Sequence, residues 1–310
     1  MNAKPIAWIT HPDCLLHQMA EDHPESPLRL HSIQDRLMLT GVDGFLQHLQ
    51  APAASVEQLQ RVHTADHVRQ MLEAVGEPPL HIDPDTVLMR YTVRAALRAA
   101  GAGVLAVDTV LENRAGLAFC AVRPPGHHAE RARAMGFCFF NNIAVAAAHA
   151  MARGLTRVAI LDFDVHYGNG TADIFRDDPR VLLCSTYGHP LYPYWEGAGD
   201  APGLVDVPLA PSTAGTAFRA AVTQHWLPAL EVFRPQLLLV SAGFDAHAAD
   251  PIGNLRLGFE DFRWLGMVTQ QLAEECCEGR VVAMLEGGYD LPALARSVEC
   301  FLQPYLGGAL

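Results

Sequence analysis

Half of the 310 residues are hydrophobic and 18% are charged, which supplies ample core for a large α/β sheet. The 34 acidic against 22 basic residues give a net charge of −12, so the basic footprint that nucleic acid needs is missing and no such partner is expected. Ordinary solubility charge is the plainer reading of that acidity, although it also suits a cationic substrate.

No uninterrupted apolar run reaches the length of about 18 residues that a membrane span needs, so no membrane partner is expected. The start, MNAKPIAWITHPDC, has no signal-peptide apolar segment. The seven cysteines are odd in number, form no C-x-x-C pair and sit partly inside apolar runs, as Cys120 and Cys184 do. They read as reduced, buried thiols of a cytoplasmic protein.

In chain order, Ile6 to Ile9 is a candidate strand, and HPDCLLHQMAEDHPESPLRL reads as a stiff surface loop before a helix that begins near Pro27. Residues 58–76 read as helix, with Thr64 as a possible cap. EPPLHIDPDTVLMRY reads as loop, and Thr92 to Leu111 as an Ala-rich helix. Strand candidates follow at Leu117–Val122, Val158–Phe163, Val181–Thr186, Gln236–Ala242 and Val281–Leu285, with helical patterns at 141–153, 214–233, 259–278 and 291–302. This alternation predicts an α/β fold with a central, mainly parallel sheet flanked by helices. No repeat or linker divides it, so residues 1–310 are read as one domain.

Each of the later strands runs into a polar, glycine-containing loop: RPPGHHAE, DVHYGNG, CSTYGHP, VSAGFDAH and EGGYD. Loops at the carboxyl ends of parallel strands are where ligands collect, so one shared site is expected. Asp164 and His166 are two apart after a strand and face the same way. Alone, such a pair is as readily a turn or cap, but with Asp245 it makes a three-ligand set that leaves a divalent ion open to substrate. His127 and His128 are candidates for proton transfer, with Asp162 and Asn169 as their orienting acceptors. A carboxylate partner raises histidine basicity more than an amide does, so the two should not titrate alike.

Tyr289 in GGY could hold an oxyanion, and Phe137 with Tyr192 could line a slot for an aliphatic chain. For either, a packed aromatic is the plain alternative. Ser185 and Thr186 end a strand and, beneath Asp162, could hold a monovalent cation or simply be strand-end hydroxyls.

RPPGHHAE, MGFCFFNNIAVAA, ILDFDVHYGNGT, SAGFDAH, ADPIGN and LEGGYD, in this order, resemble the zinc-dependent histone deacetylase family, which includes bacterial acetylpolyamine amidohydrolases. The resemblance runs from about His23 to Tyr289, and Asn169 with GFDAH is similar to class II members. It implies the arginase/deacetylase-like α/β fold and one zinc per chain on Asp164, His166 and Asp245. It makes His128 the general base and His127 its electrostatic partner. Asp162 and Asn169 stand behind them, and Tyr289 polarises the acyl carbonyl.

By the same resemblance Gly136, Phe137 and Tyr192 form the acyl-lysine tunnel, Ile252 lies at the rim, and Arg29 is a floor residue near the acetate exit. Asp85 falls at the rim carboxylate, though DPDTVLMRY around it departs from the family pattern. A structural potassium ion maps to Asp162, Asp164, His166, Ser185 and Thr186. Gly168 stands where arginase-type relatives repeat an Asp, which removes a ligand for a second metal. Tyr289 stands where catalytically weak class IIa members carry His.

The expected function is therefore a metal-dependent deacetylase, a hydrolase that removes acetyl or other acyl groups from the lysine side-chain amine. Acetylpolyamines or other small acylated amines are the alternative substrates, and a non-catalytic acyl-lysine binding module is the alternative class. Ile252 in place of an acidic rim residue favours acyl-lysine, and the net acidity leans mildly the other way. A homo-oligomer is left open.

Overall fold

The computed structural model describes residues 4–74, 79–194 and 201–307. In chain order the strands are β1 (Ile6–Thr10), β2 (Leu46–Gln50), β3 (Leu80–His81), β4 (Val87–Leu88), β5 (Leu117–Cys120), β6 (Val158–Asp162), β7 (Val181–Gly188), β8 (Leu204–Leu209), β9 (Leu237–Ala242) and β10 (Val281–Leu285). The helices are α1 (Asp13–Leu16), α2 (Leu28–Thr40), α3 (Val56–Gln60), α4 (Ala65–Glu73), α5 (Thr92–Leu111), α6 (Asn142–Ala152), α7 (Asn169–Phe175), α8 (Gly215–Phe233), α9 (Phe259–Cys276) and α10 (Leu291–Leu302).

Eight strands form one sheet in the order β2-β1-β5-β10-β9-β6-β7-β8. Every pairing in it is parallel. The four strands β5, β10, β9 and β6 are adjacent, so the loops that leave them emerge side by side. These central strands are buried along their whole length, which is why they read as unbroken Val, Leu, Ile and Ala runs without alternation.

The two edge strands escaped the sequence reading for the opposite reason. β2 is LQHLQ with only half-buried leucines, and β8 is LVDVPL with Pro208 where no ladder donor is required. Among the described residues, β3 and β4 form a separate antiparallel hairpin within what was expected to be loop.

Two further expectations need correction. The helix expected over 58–76 is broken into α3 and α4. Thr64 does cap: its Oγ1 accepts from His67 N at 3.2 Å, but as the start of a new helix. Residues 75 and 76 of that expected helix lie outside the described residues.

The stretch expected as a surface loop, from His11 to Leu30, is internal only in part: Asp13, Cys14, His17, Met19, Glu25 and Arg29 are buried, whereas Leu16, Gln18, Ala20, Glu21, Asp22 and Pro24 are exposed. The charges that are internal, Asp13, Glu25 and Arg29, pair there. Glu25 takes both Nε and Nη2 of buried Arg123, and Nη1 of Arg29 at 3.1 Å. A buried charge is tolerable only with such partners. All seven cysteines are unpaired, and six are buried.

Candidate active site

Asp164 and His166 follow β6, and Asp245 follows β9, its neighbour in the sheet. One ligand atom from each lies within 4.8 Å of the others, and all three residues are buried. His166 Nδ1 is 3.1 Å from Asp164 Oδ1 and 3.2 Å from Asp245 Oδ2. Backbone donors fix the remaining oxygens: Val165 N donates to Asp245 Oδ1 at 2.9 Å, and Gly287 N to Asp164 Oδ2 at 2.8 Å. Asp245 Oδ2 receives no hydrogen bond although it is buried.

Burial together with the nearby Asp164 pushes Asp245 up to about 7. Against burial, the two carboxylates carry His166 up to about 10. Two buried carboxylates and an imidazole thus converge with too little positive charge, and one carboxylate oxygen has no donor. A divalent ion is what such a donor set fits. Gly287 permits the convergence: a Cβ there would overlap Asp245 Oδ2 and stand 2.6 Å from Asp164 Oδ2.

The loop after β5 brings His127 and His128 alongside, with ring centroids 4.0 Å apart. Their partners differ, one a carboxylate and one an amide. His127 Nδ1 faces Asp162 Oδ2 at 3.0 Å, and its Nε2 is 3.8 Å from Asp164 Oδ1. His128 Nδ1 faces Asn169 Oδ1 at 2.8 Å. Burial would lower both. For His127 the Asp164 and Asp162 carboxylates win and carry it up to about 10. For His128 burial is joined by repulsion from His127 and His166, and it falls well below the usual imidazole value.

Glu286, in the loop after β10, lies beneath this pair. Its Oε2 accepts from Gly126 N at 2.7 Å and His127 N at 3.2 Å. Burial pushes the Glu286 carboxyl up to about 7, with the His127 ring opposing.

Tyr289 follows on the same loop. Burial raises its phenol well above the usual value, so the O–H stays protonated. Two groups hold this segment, the half-buried Asp250 and the buried Arg29. Asp250 Oδ2 accepts from Tyr289 N at 2.7 Å and Asp290 N at 3.3 Å, while its Oδ1 accepts from Ile252 N at 3.0 Å and Gly253 N at 3.3 Å. Arg29 donates to the carbonyls of Gly288 and Glu286, and its guanidinium lies 4.9 Å from the Tyr289 ring centroid. Arg29 is therefore behind Tyr289 rather than on the cavity wall. The sequence reading missed Asp250 and Glu286 as supports. The only available signal was an acidic residue heading a tight DPIGN turn and another preceding GGY.

Above the cluster opens a cavity of about 590 Å³. Gly136, Phe137, Tyr192, Ile252 and Asp85 all line it, together with His127, His128, His166 and Tyr289. Gly136 and Phe137 are both left-handed, with φ of 55° and 68°. A Cβ on Gly136 would come within 2.6 Å of the His128 ring, so only glycine lets this wall lie against it.

The β3–β4 hairpin supplies the mouth. Asp83, which the sequence reading passed over, lines it beside Asp85 and accepts from Gly136 N at 3.3 Å. Asp85 itself is exposed. Ser185 and Thr186 of β7 lie one strand from Asp164, with Ser185 in register with Asp162. Both hydroxyls are buried without a hydrogen-bond partner.

The histone deacetylase domain model matches residues 23–304. A probable deacetylase of Archaeoglobus fulgidus is 37% identical over 291 residues, covering 91% of this chain and 81% of that protein. The human polyamine deacetylase HDAC10 is 38% identical over 324 residues, covering 97% of this chain and 48% of that protein. The solved HDA15 HD domain superposes with a TM-score of 0.92 at 34% identity, covering 99% of this chain and 89% of the other. The chain belongs to the histone deacetylase family and is a hydrolase that acts on amide bonds.

Proposed function

We propose that this protein removes acetyl groups from the side-chain amine of lysine in proteins or peptides, as a single catalytic domain that depends on one zinc ion. The carrying observation is convergence. From four adjacent strand ends, two carboxylates and an imidazole cluster beside one cavity, which that imidazole, two unlike histidines and a protonated phenol line.

Asp164, His166 and Asp245 would hold the ion, which when bound supplies a Lewis acid for the amide carbonyl and a water acidified toward neutral pH. Phe137 and Tyr192 take the methylene stem and exclude bulk water from the reacting end. His128 gives its Nδ1–H to Asn169 and keeps Nε2 free to take a proton from the attacking water. His127, held by Asp162, contributes positive charge beside it. Tyr289 donates its O–H to the substrate oxygen as negative charge develops there. Nε2 of His128 then returns a proton to the departing amine.

A potassium ion beneath the cluster is part of this reading. Its support is the pair of buried, donorless hydroxyl oxygens of Ser185 and Thr186 next to Asp162. A reducing, cytoplasmic setting is consistent with seven unpaired thiols.

Acetylpolyamine is the second reading. Asp83 and Asp85 at the mouth favour it, since either could attract a distal ammonium. Ile252 at the same mouth is apolar and gives such a cation nothing. The test is kcat/KM of the zinc-loaded protein on an acetyl-lysine peptide, acetylspermidine and acetylputrescine. Preference for the peptide supports the first reading and preference for the polyamines replaces it. Tight peptide binding without turnover of any substrate would instead mark a binding module.

A further inference from the structure

The outermost group in the chain of contacts behind His128 is Glu130, which neither the sequence motifs nor the family's expected site assigns to the reaction. Glu130 Oε1 accepts from Asn169 Nδ2 at 2.9 Å, and Met135 Sδ takes up the same nitrogen at 3.3 Å. Asn169 Oδ1 faces His128 Nδ1 at 2.8 Å. The amide is buried, and both of its N–H donors and one lone pair of its oxygen are thereby used.

Glu130 is itself held in place. Its backbone N donates to Arg133 O at 2.9 Å, its carbonyl faces His63 Nδ1 at 3.0 Å, and its Oε2 lies 3.4 Å from Arg133 Nε. The next residue ties the loop to the helix that carries Asn169: Arg131 N donates to Asp173 Oδ2 at 2.9 Å and Arg131 Nη2 to Ile174 O at 2.8 Å.

We infer that Glu130 is a positioning residue that fixes which end of the Asn169 amide meets His128, and through it which ring nitrogen of His128 carries the proton. An amide can be turned over with almost no change of shape, whereas a carboxylate presents an acceptor either way. The partner of His127 is a carboxylate and needs no such device. The partner of His128 is an amide and does.

If the Asn169 amide were reversed, its oxygen would stand 2.9 Å from the Glu130 carboxylate, acceptor against acceptor, and its NH₂ would face His128 Nδ1. The imidazole proton would then have to sit on Nε2, the atom needed as base. Glu130 forbids that arrangement by charge and so keeps Nε2 unprotonated. This inference rests on the proposed role of His128.

The test combines kinetics with a tautomer measurement on the zinc-loaded enzyme. A positioned base contributes roughly 10²–10⁴ in rate, and partial loss of the correct tautomer should remove about ten-fold of kcat with KM little changed. Glu130→Ala should show that loss, and Glu130→Met should show it too while retaining the aliphatic stem if the alanine variant folds poorly. Glu130→Gln is uncharged and can itself be turned over, its NH₂ then meeting a reversed Asn169, so it should show part of the same loss.

In an Asn169→Asp background the device is redundant, so adding Glu130→Ala should cost little or relieve repulsion between two acids. Nitrogen-15 spectra of labelled histidine, assigned with His128→Ala, should report the Nδ1–H tautomer in the wild type and a mixture in Glu130→Met. The proposal is overturned if kcat, or the tautomer, is unchanged in both Glu130→Ala and Glu130→Met. It is equally overturned if the loss is as large with aspartate at 169. The spectra need no turnover, so they decide this point even if the substrate reading fails.

Discussion

Adding one methyl group at Gly287 should weaken metal binding directly, beyond any cost to the fold. The Cβ of Gly287→Ala would overlap Asp245 Oδ2 and stand 2.6 Å from Asp164 Oδ2, the two carboxylates that face His166 Nδ1. Neither can retreat freely, because Val165 N holds the other oxygen of Asp245 and Gly287 N itself holds Asp164 Oδ2. The carboxylates must rotate out of the cluster or the 286–289 loop must lift. Either way one ligand atom leaves its present position.

Perturbing groups that orient metal ligands typically costs about 10–100-fold in affinity, which is roughly 1.4–2.7 kcal/mol. Overpacking adds roughly 1–3 kcal/mol of destabilisation to the metal-free protein. The assay is competition between the protein and a chelator of known zinc affinity, with thermal melts of the metal-free protein in parallel. Gly44→Ala is the control, since a Cβ there meets nothing within 4 Å. Wild-type zinc affinity in Gly287→Ala would refute the claim that the loop after β10 closes on the same ion as the loops after β6 and β9.

Three other outcomes follow from the geometry. Tyr289→Phe should lower turnover on an acetyl-lysine peptide by roughly 10²–10³ while leaving zinc affinity as it was, which separates the phenol from the ligand set. Asp250→Ala removes the acceptor of four backbone N–H groups, two of them at Tyr289 and Asp290. It should lower kcat with zinc stoichiometry intact, as judged by kinetics and metal analysis on the same sample.

The third outcome concerns pH. Glu286 is raised from 4.5 to about 7 by burial, so its native form holds a proton that the unfolded chain releases. Its contribution to stability is fully present below the unfolded value and is lost as pH rises through about 7. Glu286→Gln keeps an oxygen for Gly126 N and His127 N but cannot ionise. In chelator-treated protein its stability relative to wild type should therefore improve by on the order of 3 kcal/mol between pH 5 and pH 8. Denaturant unfolding at the two pH values measures this, and a pH-independent difference would contradict the assigned cause.

What the sequence exposed was governed by how completely each segment is buried. The central strands are covered on both faces, so β5, β6, β9 and β10 were legible as apolar runs, and β10 matched at both ends, Val281 to Leu285. The edge strands β2 and β8 have one open flank and carry polar residues and Pro208, which hid them. The His11 to Leu30 segment misled for a related reason. Its charges look like surface, and only the fold reveals that Glu25 meets Arg123, 98 residues away.

The same logic divides the site. Groups that would meet the ion or the substrate must project from strand ends, so local pattern marks them: Asp-x-His after β6, tandem histidines after β5, Gly-Gly-Tyr after β10. The groups that hold them in place are under no such local constraint. Glu286 is 160 residues from the peptide nitrogen of Gly126 that it accepts, and Glu130 is 39 from Asn169. Their partners are backbone N–H groups or a lone amide, which have no signature in the residue string. A carboxylate taken out of water without a cation has to collect such donors or take up a proton; half-buried Asp250 collects four backbone N–H groups, and buried Glu286 collects two and is also raised toward protonation. The acidic residues that look superfluous in the motifs are thus those on which the orientation of the histidines and the tyrosine depends.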